Sequence, residues 1–313
     1  MKYTDKLLAS IRNSGSVLCA GLDPFPDQFP PELRPKITGI PDSTHATESL
    51  IATGKLASAE ILAATAEADL VITFCRRIIE QTKTGVAAYK LNLAYYEALG
   101  PDAFHVLDEV LDAIPSGKII IADAKRGDVP HTNARYKAAY FDRFGFDAIT
   151  LSPFMGTDTL IPFLGDATRA VYALTLTSNP GAADLMTHPF GDAPTLSAHL
   201  ASLLKTCSLK HPGTLGMVIG ATQSEVYGPV MEAFPEAPLL IPGIGAQGGS
   251  IPELEKRLAA HPGIPLINVS RGLSAFDPKN HKPWDIQIAT NTDLFNKALQ
   301  AISKNYTSEN LNR

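Results

Sequence analysis

The segment Asp123-Ala124-Lys125-Arg126-Gly127-Asp128 sets two carboxylates around one ammonium. It follows Lys118-Ile119-Ile120-Ile121-Ala122, an apolar, β-branched run of the kind that forms a buried strand. Alternation along a strand sends Asp123 and Lys125 to the same face. Gly127 then ends the strand and leaves Asp128 on the loop beyond. Burial alone drives a lysine toward neutrality, whereas two neighbouring carboxylates keep its proton on. A charged lysine held in one place is suited to delivering a proton. The competing reading is a structural ion pair at a strand end, because ion-pair networks resemble active sites.

Such a segment needs elements that fix it. Short apolar runs occur at Val17–Leu22, Val86–Leu91, Lys118–Ala122, Ala148–Ser152, Val171–Thr177, Thr214–Gly220, Leu239–Ile244 and Leu266–Ser270. Amphipathic, helix-like stretches lie between most of them, among them Ala66–Gln81, Ala103–Ile114, Thr132–Phe144, Ser197–Leu204 and Ile251–Ala260. Strands alternating with helices imply a parallel sheet with right-handed crossovers. Eight such units predict an α/β fold, a single (β/α)8 TIM barrel over residues 1–313. A doubly wound sheet is the alternative, but no Gly-x-Gly-x-x-Gly follows the first strand. Thr4–Arg12 is expected to cover the bottom of the barrel and Asp285–Ser303 to form the last outer helix, with a frayed tail over Asn305–Arg313. Pro24–Ala64 is too long for an ordinary connection and reads as an insertion after the first strand, helical near Thr47–Ala63.

In such barrels the chemistry sits at the C-terminal ends of the strands. Asp23 ends the first strand, Lys90 the second, and Asp123, Lys125 and Asp128 the third. One acidic or basic residue at a strand end is an ordinary turn or solvated residue. An alternating set on adjacent strands reads as a functional rim. Glycine-rich Pro242–Gly249 follows the seventh strand and Ser270-Arg271-Gly272 the eighth. Barrels bind phosphate at these loops, and an arginine grips it bidentately. The predicted substrate therefore carries phosphate at one end and meets the acid–base rim at the other.

Composition excludes other classes. The 313 residues are 45% hydrophobic and 19% charged, with net charge −5. With no Lys/Arg run, this argues against nucleic-acid binding. No apolar stretch reaches membrane-spanning length, and the N-terminus lacks a signal-peptide core. The three cysteines, Cys19, Cys75 and Cys207, fit no disulfide frame or zinc spacing, which predicts a cytoplasmic protein. Cys19 is expected in the core and Trp284 in packing. The histidines form no metal-binding pattern; His188, His211 and His261 each precede a proline in loop-like sequence and are expected at the surface. Ser178 lacks a Gly-x-Ser-x-Gly context and reads as a hydrogen-bonding residue.

From Val17 to Ala275 the chain resembles the orotidine 5′-phosphate decarboxylase family, in its longer second type. The resemblance rests on Asp123-x-Lys125-x-x-Asp128 with Thr132, on Lys90 in Tyr-Lys-Leu-Asn, on Ser178 in Leu-Thr-Ser-Asn-Pro-Gly, on Pro242–Gln247 and on Arg271. It implies conversion of orotidine 5′-phosphate to UMP and CO2, the last step of de novo UMP synthesis, with no metal and no cofactor. It implies that Lys125 protonates C6, that Asp123 lies against the substrate carboxylate, and that Lys90 bridges Asp123 and the ribose. Asp23 would bind a ribose hydroxyl, Ser178 the pyrimidine edge, and Gln247 and Arg271 the phosphate. Asp128 and Thr132 would reach into a neighbouring subunit's site, making a homodimer. The insertion aligns poorly, so no role carries over there.

Three alternatives stand beside this. A metal-dependent sugar-phosphate lyase on the same barrel shares the signature and the phosphate loops, but needs a magnesium site of strand-end carboxylates, which the charge of Lys90 opposes. A Schiff-base aldolase would need a lysine of depressed pKa, against the effect of the acid neighbours. The non-enzyme reading is a catalytically silent nucleotide-binding barrel.

Overall fold

The computed structural model describes residues 1–33, 56–222, 227–245 and 248–307. Most of the insertion, the tail beyond Thr307 and Gln247 lie outside the described residues. The strands are β1 (Leu18–Leu22), β2 (Ala88–Asn92), β3 (Ile119–Arg126), β4 (Ala148–Leu151), β5 (Ala170–Leu176), β6 (Thr214–Ile219), β7 (Leu239–Ile241) and β8 (Pro265–Val269). Each pairs in parallel with the next, and β8 pairs with β1, so the expected barrel closes. The strands are buried along nearly their whole length, which is why they read as continuous apolar runs.

The N-terminal helix Tyr3–Ser14 lies across the bottom, as expected. The Tyr3 hydroxyl meets the Tyr172 hydroxyl at 3.0 Å, and Ser10 Oγ donates to the Ala87 carbonyl at 2.6 Å, at the entry to β2. Lys6 reaches Asp147 at the entry to β4. Tyr172 has room because its neighbour across the β5–β6 ladder is Gly216. A Cβ at Gly216 would sit 2.9 Å from the Tyr172 ring and run into the Pro238 carbonyl oxygen.

A second cluster secures the chain just after β1. Phe29 stacks on Phe74 at 4.4 Å, and Phe74 stacks on Trp284 at 5.1 Å. Arg77 lies over the Trp284 ring and bonds Asp285 and Glu32, each at 2.8 Å. The start of the insertion is thus tied to helices Leu56–Thr82 and Trp284–Ala298. Aromatic pairs of this sort contribute about 0.5–1.5 kcal/mol each beyond area burial.

The structure differs from expectation in several places. Of the helical stretch expected near Thr47–Ala63, the part from Leu56 onward is helical and continues unbroken to Thr82, and the part before it lies outside the described residues. The helix after β3 spans Pro130–Lys137 and continues as a wide π turn over Ala138–Arg143. The last outer element is two helices, Trp284–Ala298 and Gln300–Thr307, and Asn305–Thr307 belong to the second. His261 is buried, because its Nε2 pairs with the Ala237 carbonyl at 2.9 Å and links the entries of β7 and β8.

Gly216→Ala tests the packing at the barrel bottom. Rigid backbone stands in the way of the new methyl, so the variant should lose about 1–3 kcal/mol. A lower urea midpoint with unchanged slope would show it; an unchanged midpoint would contradict the packing account.

Candidate active site

A cavity of about 640 Å³ opens at the C-terminal ends of the strands. Asp23, Lys90, Asp123, Lys125, Ser178 and Arg271 all line it. Asp128 and Thr132 do not line it, and Gln247 lies outside the described residues.

The reactive end is a row of alternating charges from three neighbouring strands. Lys90 Nζ lies 2.8 Å from Asp123 Oδ2 and 3.6 Å from Asp23 Oδ1. Lys125 Nζ lies 2.7 Å from Asp123 Oδ1. Asp23 also accepts from the Asn92 backbone N–H at 3.3 Å. Lys90 is buried and Asp123 nearly so, its side chain 11% exposed, while the Lys125 side chain is 48% exposed. Burial opposes the charge on Asp123, but Lys90 and then Lys125 outweigh it and hold the carboxyl well below the usual carboxylate range. Burial likewise works against a charged Lys90, and Asp123 and Asp23 overcome it, raising its pKa.

This revises the sequence reading. One carboxylate, Asp123, sits between two ammoniums, Lys90 and Lys125. Asp128 takes no part in the row: its Oδ1 accepts from the Val129 backbone N–H at 2.7 Å. The reason lies in the backbone of β3. Its register with β4 shifts between Ala122 and Arg126, and Lys125 adopts φ +48°, a left-handed conformation that costs a non-glycine residue about 1–2 kcal/mol. Simple alternation therefore does not operate here. Asp123 and Lys125 meet because the strand bulges.

Contacts on both sides brace the bulge. Thr150 on β4 accepts from the Lys125 backbone N–H and donates to Asp123 Oδ1, both at 3.0 Å. Ser152 N–H donates to the Arg126 carbonyl at 2.7 Å. A Cβ at Gly127 would sit 2.7 Å from the Ser152 carbonyl oxygen, so the approach requires glycine. The Arg126 guanidinium lies over the Tyr136 and Tyr140 rings and bonds Glu97 and the Tyr140 hydroxyl.

The far end of the cavity has a different character. Gly243 (φ +105°) and Gly245 (φ +84°) hold conformations open to glycine, leaving backbone at the cavity wall. Arg271 is exposed there, and among the described residues no carboxylate pairs with it. Ser178 sits on a close crossing: a Cβ at Gly220 would lie 2.5 Å from its backbone nitrogen. Leu174, Val218 and Leu240 add apolar lining to the cavity. The sequence reading missed Thr150, Asn92 and Asn268, which also line the cavity. A signal existed for Thr150 and Asn268: each is a polar residue inside an apolar strand, at a position that faces the barrel axis.

The arrangement bears on the alternatives. A magnesium bridging strand-end carboxylates would need the space between Asp23 and Asp123, which the Lys90 ammonium fills. A Schiff-base lysine would be neutral, whereas Lys90 is held charged.

A family model described as Orotidine 5'-phosphate decarboxylase / HUMPS family matches residues 41–280. The orotidine 5′-phosphate decarboxylase of Herpetosiphon aurantiacus is 36% identical over 272 residues, covering 87% of this chain and 88% of that protein. The solved OMP decarboxylase of Leishmania donovani is 30% identical with TM-score 0.72, over 97% of this chain and 100% of that one. The UMP synthase structure from the same organism matches at 31% identity and TM-score 0.72 over 96% of this chain. The chain spans 57% of that longer protein.

Lys90→Met should cost about 3–5 kcal/mol at neutral pH, because it leaves two carboxylates near one another without the ammonium between them. The sign with pH follows from Asp123. Its depressed pKa gives stability that is present above the ordinary carboxylate pKa and is lost as pH falls through the folded value. The penalty of the substitution should therefore hold from pH 7 down to about pH 4, the ordinary carboxylate pKa, and shrink only as the pH falls below it toward the folded value, measured by urea unfolding. A penalty independent of pH would refute the ion-pair account.

Proposed function

The chain belongs to the orotidine 5′-phosphate decarboxylase / HUMPS family and is a carboxy-lyase of pyrimidine biosynthesis, and we propose that Lys125 is the acid that completes its conversion of orotidine 5′-phosphate to UMP. The observation that carries this reading is the Lys90–Asp123–Lys125 row, which presents one partly exposed ammonium to the cavity beside a buried carboxylate.

The phosphate binds at Arg271, with Gln247 and the glycine-rich backbone after β7 beside it. The ribose lies toward Asp23 and Lys90, and the pyrimidine edge toward Ser178. This places the substrate carboxylate near Asp123 and C6 near Lys125 Nζ. When the C6–CO2 bond breaks, its electron pair stays on C6. Lys125 stabilises that charge and gives its proton to C6, then regains one from solvent. Asp123 meets the substrate carboxylate as a like charge, and loss of CO2 relieves the repulsion. Thr150 and Lys90 hold Asp123 in place throughout. The fixed charges are oriented before substrate arrives, so little reorganisation accompanies the bond breaking. The reaction draws on no metal or organic cofactor in this reading.

The homodimer with shared sites has separate support. Asp128 and Thr132 lie off the cavity of their own chain. The helix Pro130–Lys137 packs on the turn Thr157–Phe163, where Asn133 Nδ2 donates to the Asp128 and Thr159 carbonyls at 2.8 Å. Around this unit Val129, Phe154, Met155 and Ile161 are exposed, Phe154 to 83%. An apolar surface of this kind beside a catalytic signature fits a second copy of the chain. The cysteines are free and buried, in keeping with work in a reducing cytoplasm.

Purified protein should convert orotidine 5′-phosphate to UMP in the presence of EDTA, followed by ultraviolet absorbance. Lys125→Ala should lower kcat by more than about a thousandfold while leaving UMP binding largely intact. Substantial turnover by that variant would remove Lys125 as the acid. Mixing Lys125→Ala with Asp128→Ala protein should restore activity, to about a quarter of wild type when subunits exchange at random. No recovery, in mixtures shown to exchange, would refute the shared site.

A further inference from the structure

Two glycines from different loops meet over one aromatic ring at the phosphate end of the cavity. Gly245 follows β7 at φ +84°, and Gly272 comes directly after Arg271 at the end of β8. A Cβ at Gly245 would lie 3.9 Å from the Gly272 Cα, so the two loops touch there. The same Cβ would lie 3.5 Å from Cζ of Phe295 and 4.0 Å from its Cε1. A Cβ at Gly272 would lie 3.0 Å from Phe295 Cζ and 3.2 Å from its Cε2. One edge of the ring thus abuts Gly245 and the other edge Gly272, with Cζ between them. Phe295 lies behind the glycines, outside the lining of the cavity, and the reaction scheme above does not use it.

The ring is itself held from two directions. It belongs to the helix Trp284–Ala298, which is tied to the turn Arg271–Ser274. Trp284 Nε1 donates to the Ser274 carbonyl at 2.9 Å, and Asn291 Nδ2 donates to the Leu273 carbonyl at 3.2 Å. Asn296, beside Phe295, roots the helix where β1 and β2 begin. Its Nδ2 donates to the Gly85 carbonyl at 3.0 Å, and its Oδ1 accepts from Ser16 Oγ at 2.6 Å. β1 closes in on the same turn, since a Cβ at Gly21 would lie 2.6 Å from Ser270 Cβ. Glycine backbone at positive φ is otherwise free to sample many conformations. An arginine and a set of backbone N–H groups bind one anion well only when their positions are fixed beforehand.

We propose that Phe295 is a positioning residue for the phosphate: its ring wedges the loop after β7 and the turn after β8 at the separation that lets Arg271 and the glycine backbone close on the same anion. The inference deepens the decarboxylase reading and rests on its placement of the phosphate at Arg271. It makes affinity for the phosphate depend on a side chain that the ligand does not touch. The wedge acts on the phosphate loops alone, so binding of the nucleoside half should not depend on it.

Phe295→Leu withdraws the ring edge from both glycines. Phe295→Tyr keeps the ring and sets an oxygen on Cζ, the atom nearest both glycines, driving the loops apart. UMP affinity, by calorimetry, should fall about tenfold in each, since misplacing a binding group by a fraction of an ångström has effects on this scale. Uridine, which lacks the phosphate, is read by its displacement of UMP, and its affinity should stay within about twofold of wild type. The ratio of the two affinities decides, because a purely structural ring would weaken both ligands alike. An unchanged ratio in both variants overturns the proposal, whatever happens to the melting temperature. A fall confined to one variant overturns it too: in Leu alone the separation of the loops would not matter, and in Tyr alone the added oxygen would be at fault. If wild-type protein binds UMP no more tightly than uridine, the placement of the phosphate at Arg271 fails instead, so the two failures are distinct.

Discussion

Everything at this site depends on keeping Asp123 ionised inside the barrel. A buried carboxylate without compensation is strongly penalised. Here the compensation comes from Lys90 on one oxygen and Lys125 on the other, with Thr150 adding a hydrogen bond. These partners belong to different strands, so the row exists only when the sheet is in register. Gly21 opposite Lys90 and Asn92 opposite Asp123 is the pairing that builds it. Sheet closure and site electrostatics are thus one constraint. The tyrosine pair at the bottom and the aromatic stack around Trp284 hold the barrel shut from regions that never touch the cavity.

The second constraint is local and works against the first. A regular β3 would continue its ladder with β4 past Ala122, and the backbone at Lys125 would stay extended. Instead the ladder slips and Lys125 takes a left-handed conformation. Such strain persists only where the surroundings over-determine it. Those surroundings are named residues: Thr150 on the Lys125 N–H, Ser152 on the Arg126 carbonyl, Gly127 against Ser152, and Arg126 clamped between Glu97 and the tyrosines. The stabilisation of Asp123 and the strain at Lys125 meet in a single 2.7 Å contact.

Much of this was legible in the sequence. The eight apolar runs gave the barrel because parallel strands buried on both faces leave little else to read. Lys90, Asp123, Lys125, Asp23 and Arg271 were legible because charged residues at the ends of apolar runs are conspicuous. What was not legible was geometry that alternation does not encode. The period-two rule brought Asp123 and Lys125 together for the wrong reason, and Asp128, on the loop beyond Gly127 as expected, is not the second carboxylate beside Lys125 because it bonds the Val129 N–H instead. Thr150 escaped notice because a threonine in a strand is ordinary. His261 was expected outside because His-Pro looks like a loop; its partner, the Ala237 carbonyl, is distant in sequence.

The divergence of Asp128 from Asp123 follows from the same bulge. Once the chain leaves the ladder at Lys125, three residues suffice to carry it from the cavity floor to the outer rim, where Asp128 bonds its own loop. Asn133 then ties the Asp128 carbonyl to the turn at Thr159, fixing that acid relative to the exposed Phe154 and Met155. A single six-residue signature thereby presents Asp123 and Lys125 inward and Asp128 outward. Under the proposed homodimer, the same strained turn that sets Lys125 would also set the acid offered to the neighbour. Catalysis and the proposed assembly would then share one backbone irregularity rather than two separate devices.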